Sequence, residues 1–508
     1  MAFEEVASRH ASRAAFIYPG GGRFTYAELA RLTGRIASGL HARGFREGDV
    51  AAIFHDKSPE AYAAMLACLR LGVLYTNLDP ESPWERLRKI LSNCAPRGLL
   101  NFFPKLPHAG SLAGGAVPEI LDGPSLAKEA VAPEQLPGIS LVTGGTPAYI
   151  MFTSGSTGQP KGAVMSHSNL LGFINWSRDR FEVTEEDVFT NVNPIFFDNS
   201  VFDFYTSIFS GAALVPVTPA QARDARMVVR AVGDAGCTIW FSVPSLLVYL
   251  LTTRALGADS FPAVRKIIFG GEGFSKPKLK LLFDLFGSRA DLENVYGPTE
   301  CTCICSAHKI GQPDFEDMQN LAALGQLAQN FSGDILPLDA ADPEFGELFL
   351  RGPQVGLGYY NDPARTEQSF AQNPSHQLYR DIGYRTGDLV RRDGRGWLHF
   401  KGRADFQIKH MGYRIELEEI EAALNSLDGV RECAVIYQRL GDGLGQIVGF
   451  AAVDAHRSPE DLVSGLASLV PPYMVPRRVV SMAELPKNAN GKIDRPALAA
   501  SLKSGAAT

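Results

Sequence analysis

Short apolar runs alternate with helical segments along this chain, and that alternation is what most constrains its fold. Val50-Ala-Ala-Ile-Phe54 reads as a strand, Ala61–Leu71 as an apolar helix, and Gly72–Asp79 as a strand running into a turn. Tyr149-Ile-Met-Phe152, Thr238–Val243 and Lys266–Phe269 read as further buried strands. Strands that alternate with helices predict an α/β fold with mostly parallel sheets flanked by helices. Tyr26-Ala-Glu-Leu29 opens an amphipathic helix, with Thr25 as its cap and Glu28 spaced to complete a capping box. A second helix is expected to begin within Met165–Leu171, capped by Ser168 or Asn169. A buried helix is expected from Phe202, ending near Gly211. The stretch 103–147, rich in Gly, Pro and Ala, is expected to hold loops and short elements.

A chain of 508 residues is too long for one core, so at least two domains are expected. With 45% hydrophobic and 20% charged residues, the composition is that of a globular enzyme. A net charge of −6 gives no reason to expect nucleic acid or an anionic membrane as a partner. The N-terminus does not read as a signal peptide, and no apolar run approaches the ~20 residues of a spanning helix. Seven cysteines, odd in number and scattered, suit a reducing cytoplasm. Cys301, Cys303 and Cys305 alternate as side chains on one strand face do, and are expected to be buried strand thiols, since no second zinc-ligand pair accompanies them.

Directly after the strand at Tyr149 comes Thr153-Ser-Gly-Ser-Thr-Gly-Gln-Pro-Lys161-Gly162. Glycines let backbone N–H groups close around an anion, while the hydroxyls and Lys161 add donors and charge. These residue types suit a loop that grips a polyphosphate. The end of the stretch is not that of a Walker A loop, because Pro160 precedes Lys161 and Gly162 follows it. The stretch resembles the phosphate loop of adenylate-forming enzymes, the superfamily of acyl-CoA ligases, luciferases and peptide-synthetase adenylation domains.

Six more stretches match that superfamily in its order: Asn294–Glu300, Gly346–Gly352, Tyr384–Leu389, Gly402–Lys409, Pro471–Pro476 and Asn490–Arg495. The resemblance implies ATP and Mg²⁺, with a carboxylate attacking the α-phosphate and pyrophosphate leaving. It implies Lys492 as the catalytic lysine, Thr299 as a donor to the phosphate, and Glu300 as a catalytic residue and Mg²⁺ ligand. Thr153, Ser154, Gly155, Ser156, Thr157, Gly158 and Lys161 would hold the phosphates. Gly271, Glu272 and Gly297 would be nucleotide-binding, Tyr296 would offer a face to the adenine with Asn294 near its amino group, and Asp388 with Arg403 would meet the ribose. It further implies a large N-terminal domain, residues 1–404, and a small mobile α+β domain, residues 405–508, that turns about a hinge at Asp405.

Within the superfamily the resemblance is nearest to amino-acid adenylation domains. Asp198, in Phe197-Asp-Asn-Ser, matches the aspartate that pairs with the substrate ammonium. A half-buried ammonium needs such an opposite charge. Asp203 is the rival carboxylate, and is expected to cap or face away. The rest of the implied pocket is Phe197, Asn199, Phe202, Phe241, Ile268, Gly270, Val295, Cys303 and Ile304. Its size and lack of charge imply a small neutral amino acid. Phe197–Ser207, Ile239–Ser245 and Phe269–Glu272 are most similar to D-alanine–carrier protein ligases. Those tend to have a cysteine where Gly270 stands, so glycine is expected to remove a wall and admit an L-amino acid, or a larger one such as proline.

The implied function is ATP-dependent activation of a small neutral amino acid, alanine-like, and its transfer to the phosphopantetheine thiol of a separate carrier protein. The chain ends soon after Lys492, so the enzyme is expected to be freestanding. The alternatives are an acyl- or aryl-CoA ligase, an L-proline-specific or other small L-amino-acid adenylating enzyme, and a non-catalytic binding homologue.

Overall fold

A computed structural model describes residues 2–115, 117–129, 142–155, 158–440, 445–453, 458–488 and 493–503. Contacts divide the chain into two compact units. One holds residues 1–79, 94–151 and 162–404; the other holds 80–93, 152–161 and 405–508.

The first unit is built on three sheets. Among the described residues one sheet has nine strands, in the order Gln326–Leu327, Ser306–Lys309, Asp291–Tyr296, Lys266–Gly270, Ile239–Ser242, Val188–Asn191, Ala213–Pro216, Ala14–Ile17 and Arg23–Thr25. Its central pairings are parallel and the pairings at both ends antiparallel. A seven-stranded sheet holds Val50–Phe54, Leu74–Leu78, Gly98–Asn101 and Pro147–Thr153 in parallel pairings. The third sheet is antiparallel, with Phe345–Arg351 and Ile382–Arg392 at its centre. Val50–Phe54 is buried at every position, which is what a strand covered on both faces requires.

The helix Tyr26–Ala42 opens with the expected capping box of Thr25 and Glu28. The helix His167–Arg180 is capped differently from the expectation. Ser166 is its cap and Asn169 sits at the third helical position, completing the box from there. Helix length and apolar spacing are blind to which of several adjacent hydroxyls and amides lies one residue ahead of the first turn.

The buried helix near Phe202 exists, but it is not uniform. Asn199–Val201 and Ser207–Phe209 are α-helical, and Phe202–Thr206 between them is a π-turn. Asp203 makes no cap; it is fully buried, and its Oδ2 accepts from Asn191 and Asn193. The three alternating cysteines are buried free thiols, but not on a strand. Cys301 closes a short 3-10 turn, and the strand begins only at Ser306.

In the second unit, the hairpin Gln407–His410 and Tyr413–Glu416 leads into the helix Leu417–Asn425. The three-stranded sheet Val430–Arg439, Gly445–Val453 and Arg478–Met482 follows. Leu417, Ile420 and Leu424 pack with Val435, Ile447 and Leu462 in its core.

Candidate functional site

In the first unit, three adjacent parallel strands bring the pocket candidates together. Phe241 pairs in register with Ile268, and Gly270 with Val295. Residues two apart share a strand face, so these four share one face at the C-terminal ends of the strands. Ligands bind at that end of open parallel sheets. The intervening residues Trp240, Ile267, Phe269 and Leu292 pack in a separate core on the other face. Phe202 meets Phe241 edge-on at 5.2 Å, and Cys303 and Ile304 belong to the same buried cluster.

Phe197, Asp198 and Asn199 are only partly buried. Asp198 Oδ2 accepts a 2.6 Å hydrogen bond from Thr299 Oγ1, which ties the candidate ammonium partner to the Tyr296–Glu300 segment. Burial, and next the charge of Asp198, push the Cys303 thiol well up, so it stays protonated and is no nucleophile. Thr302 and Cys303 both have left-handed backbones, φ 57° and 76°, which costs a non-glycine residue ~1–2 kcal/mol each. Thr302 Oγ1 donating to Gln354 O at 2.8 Å helps hold that turn.

Gly270 does not leave an open wall. A Cβ placed there would stand 2.4 Å from Val295 O and 2.6 Å from Val295 Cγ2. The space freed by the missing side chain is taken by the neighbouring strand. Gly297 is just as tightly approached, its Cβ position lying 2.1 Å from Cys303 O.

Three of the nucleotide candidates of this unit, Tyr296, Asp388 and Arg403, are bonded to one another. Tyr296 Oη donates to Asp388 Oδ2 at 2.5 Å, and Arg403 pairs with Asp388 Oδ1 at 2.6 Å. Burial, reinforced by Asp388, holds the Tyr296 hydroxyl well above its ordinary range, so it is a donor. Asn294 Nδ2 donates to Ala323 O at 2.8 Å, and Glu272 accepts from Ser245 N and Oγ. Gly271 has φ 88°, a conformation that favours glycine. Glu300 is fully buried and accepts from Tyr359 Oη at 2.7 Å. Among the described residues no three metal-ligating side chains cluster. A lone buried carboxylate fits Mg²⁺, which is bound by one or two carboxylates together with substrate phosphates.

Most of the candidate phosphate loop, up to Lys161, belongs to the second unit, where backbone and carboxylate groups meet it. Ser154 Oγ donates to Arg414 O at 2.8 Å and accepts from Glu416 N at 3.1 Å. Gly155 N donates to Glu419 at 3.2 Å, and Lys161 Nζ lies 3.4 Å from Glu416. Glu419 also pairs with Arg86, and Lys89 donates to Gly158 O at 2.7 Å. Thr153 Oγ1 is buried without a hydrogen-bond partner among the described residues. Gly155 N and Lys161 Nζ already meet carboxylate oxygens, so the chemistry of these two donors fits an anion. Ser156, Thr157 and Lys492 lie outside the described residues. Asp405 is exposed and accepts from Gln407 N at 3.2 Å.

The AMP-binding enzyme model matches residues 3–360, and the AMP-binding enzyme C-terminal domain model matches residues 419–492. The chain belongs to the AMP-binding enzyme family. It is 32% identical to an L-proline--[L-prolyl-carrier protein] ligase of Streptomyces coelicolor, over 96% of this chain and 94% of that one. It is 29% identical to a D-alanine--D-alanyl carrier protein ligase of Lacticaseibacillus paracasei, over 98% of each. Among solved structures, an NRPS protein containing adenylation and PCP domains, bound to a vinylsulfonamide inhibitor, superposes with a TM-score of 0.83 at 25% identity. That match covers 98% of this chain and 83% of the other.

In this AMP-binding enzyme, several groups that hold the site candidates had no signal of their own in the sequence. Tyr359 sits in an unremarked Gly-Tyr-Tyr, and Arg86 on a helix rich in charge. Nothing local marks Glu416 and Glu419 as partners of a loop some 260 residues earlier.

Proposed function

We propose that this enzyme uses ATP to activate a small neutral amino acid as its aminoacyl-adenylate and then transfers the aminoacyl group to the phosphopantetheine thiol of a separate carrier protein. The observation that carries the reading is Asp198. Its carboxylate is partly exposed beside an apolar sheet face and is oriented by Thr299. A carboxylate in that setting serves a substrate bearing an ammonium group, and an amine-free acid has no use for it. The names of two relatives, a prolyl and a D-alanyl ligase, support the small neutral class.

In the first step, a carboxylate oxygen of the amino acid attacks the α-phosphorus and the bond to pyrophosphate breaks. In the second, the thiol sulfur attacks the acyl carbon and AMP leaves. Asp198 holds the ammonium, and Phe241, Ile268 and Val295 enclose the side chain. Asp388, held by Tyr296 and Arg403, accepts the ribose hydroxyls. Thr153, Ser154, Ser156, Thr157 and Lys161 bind the leaving phosphates, and Lys492 steadies the carboxylate and α-phosphate. Glu300 would hold Mg²⁺, which neutralises phosphate charge. Gly270, filled from Val295, keeps the pocket small, which favours an alanine-like substrate.

The test is ATP–pyrophosphate exchange with glycine, both alanine enantiomers, L-serine, L-proline, β-alanine, acetate and benzoate. Exchange with one small amino acid, lost in Asp198→Ala and in Lys492→Ala, is the expected result. Exchange with an amine-free acid, undiminished in Asp198→Ala, overturns the amino-acid reading in favour of a CoA ligase.

A further inference from the structure

Two buried groups of opposite charge, Lys57 and Asp203, are linked through Asn191 and Asn193, and none of the chemistry above uses them. Lys57 and Asp203 are 4% and 0% exposed. Lys57 Nζ donates to three backbone carbonyls: Asn191 at 2.7 Å, Val217 at 2.8 Å and Asn193 at 2.9 Å. Three acceptors need three N–H groups, so Lys57 is an ammonium. Asp203 is its counter-charge, reached through two amides. Asn191 Nδ2 and Asn193 Nδ2 donate to Asp203 Oδ2 at 2.9 and 3.0 Å. Burial pulls the lysine down and pushes the aspartate up, and each opposes the other's shift. Lys57 itself has φ 66°, a strained backbone for a lysine.

The pair sits where the pocket segment leaves and rejoins the core. Asn193 begins the stretch that carries Phe197, Asp198, Asn199 and Phe202, and Asp203 ends it. The Asn193–Asp203 bond therefore closes this loop at its base. Asn193 Nδ2 also donates to Phe241 O at 3.0 Å, so the same amide reaches the sheet wall opposite. The loop rejoins through the π-turn, a feature frequent at functional sites, which turns Phe202 against Phe241. Ser207 Oγ donates to Asp203 O at 2.6 Å and braces that turn.

We infer that Lys57 and Asp203 are positioning residues for the amino-acid pocket, clamping the 193–203 loop so that Asp198 and Phe202 keep their distance from the Phe241 wall. The inference rests on the pocket reading under Proposed function. A single substitution would leave a buried charge unpaired, so the decisive variant is Lys57→Met with Asp203→Asn, which removes both charges. Asn193→Ala, which cuts the bridge and keeps both charges, is the second variant. Folding is checked by thermal melting and near-ultraviolet circular dichroism, and function by pyrophosphate exchange.

The expected result is a folded enzyme whose KM for its acid substrate rises between ~10- and ~100-fold, while KM for ATP stays within about twofold. Discrimination between the preferred substrate and its one-carbon-larger homologue falls in parallel. A folded variant with unchanged substrate KM and unchanged discrimination overturns the inference and leaves the pair a purely structural element. If the paired variant does not fold, Asn193→Ala decides on the same two readouts. Wild-type exchange with an amine-free acid alone would overturn the amino-acid reading, while KM for that acid would still read the clamp.

Discussion

Substituting Gly270 by alanine tests whether Val295 sets the size of the pocket. The new Cβ would lie 2.4 Å from Val295 O, 2.6 Å from Val295 Cγ2 and 3.2 Å from Val295 C. Contacts that close force the paired strands apart or turn Val295 toward the pocket. Overpacking of this kind costs ~1–3 kcal/mol. Thermal melting should therefore show a destabilised but folded enzyme, and pyrophosphate exchange a raised KM for the amino acid at unchanged KM for ATP. Adding Val295→Ala removes the methyl at 2.6 Å but leaves the carbonyl oxygen at 2.4 Å. Relief must be partial, with the double variant remaining about 1 kcal/mol or more below Val295→Ala alone. A Gly270→Ala enzyme with wild-type stability and wild-type amino-acid KM would refute the reasoning. Full rescue in the double variant would refute the part assigned to the backbone.

Asp388→Asn should lose the charge-assisted bond to Arg403, worth ~1.5–3 kcal/mol, and raise KM for ATP ~10- to ~100-fold without moving KM for the amino acid. Glu419→Ala should remove the buried pairing with Arg86 and destabilise the fold in chemical denaturation, whereas Arg86→Met with Glu419→Leu should cost less. Asp187 is buried, yet bonds from Arg265, Thr184 and Thr238 outweigh burial and hold its carboxyl below the ordinary range. A depressed folded pKa adds stability above the unfolded value, and that stability is lost as pH falls through the folded one. Melting temperature should thus fall on acidification below about pH 4, and Asp187→Asn should flatten that slope.

What was readable in advance was local. The Thr25–Glu28 box spans three residues, and the run Val50–Phe54 needs only its own apolar side chains to declare a buried strand. Where several neighbours could do one job, as Ser166, Ser168 and Asn169 could cap one helix, local pattern did not choose correctly. The cysteines at 301, 303 and 305 alternated as on a strand, yet the left-handed backbones of Thr302 and Cys303 make a turn there.

The sequence by itself determined the strand–helix alternation, the ordered motifs and through them the family, because each is written in side chains a few residues apart. Only the tertiary structure decided that Gly270 is filled by Val295, that Glu416 and Glu419 meet the candidate phosphate loop, and that Asp203 is buried against Asn191 and Asn193. Those contacts join segments far apart in the chain, such as Lys57 and the Asn191 carbonyl 134 residues on. No local periodicity encodes such a pairing; it follows from the parallel register that sets one strand end beside another, and from the need of a buried charge for a partner.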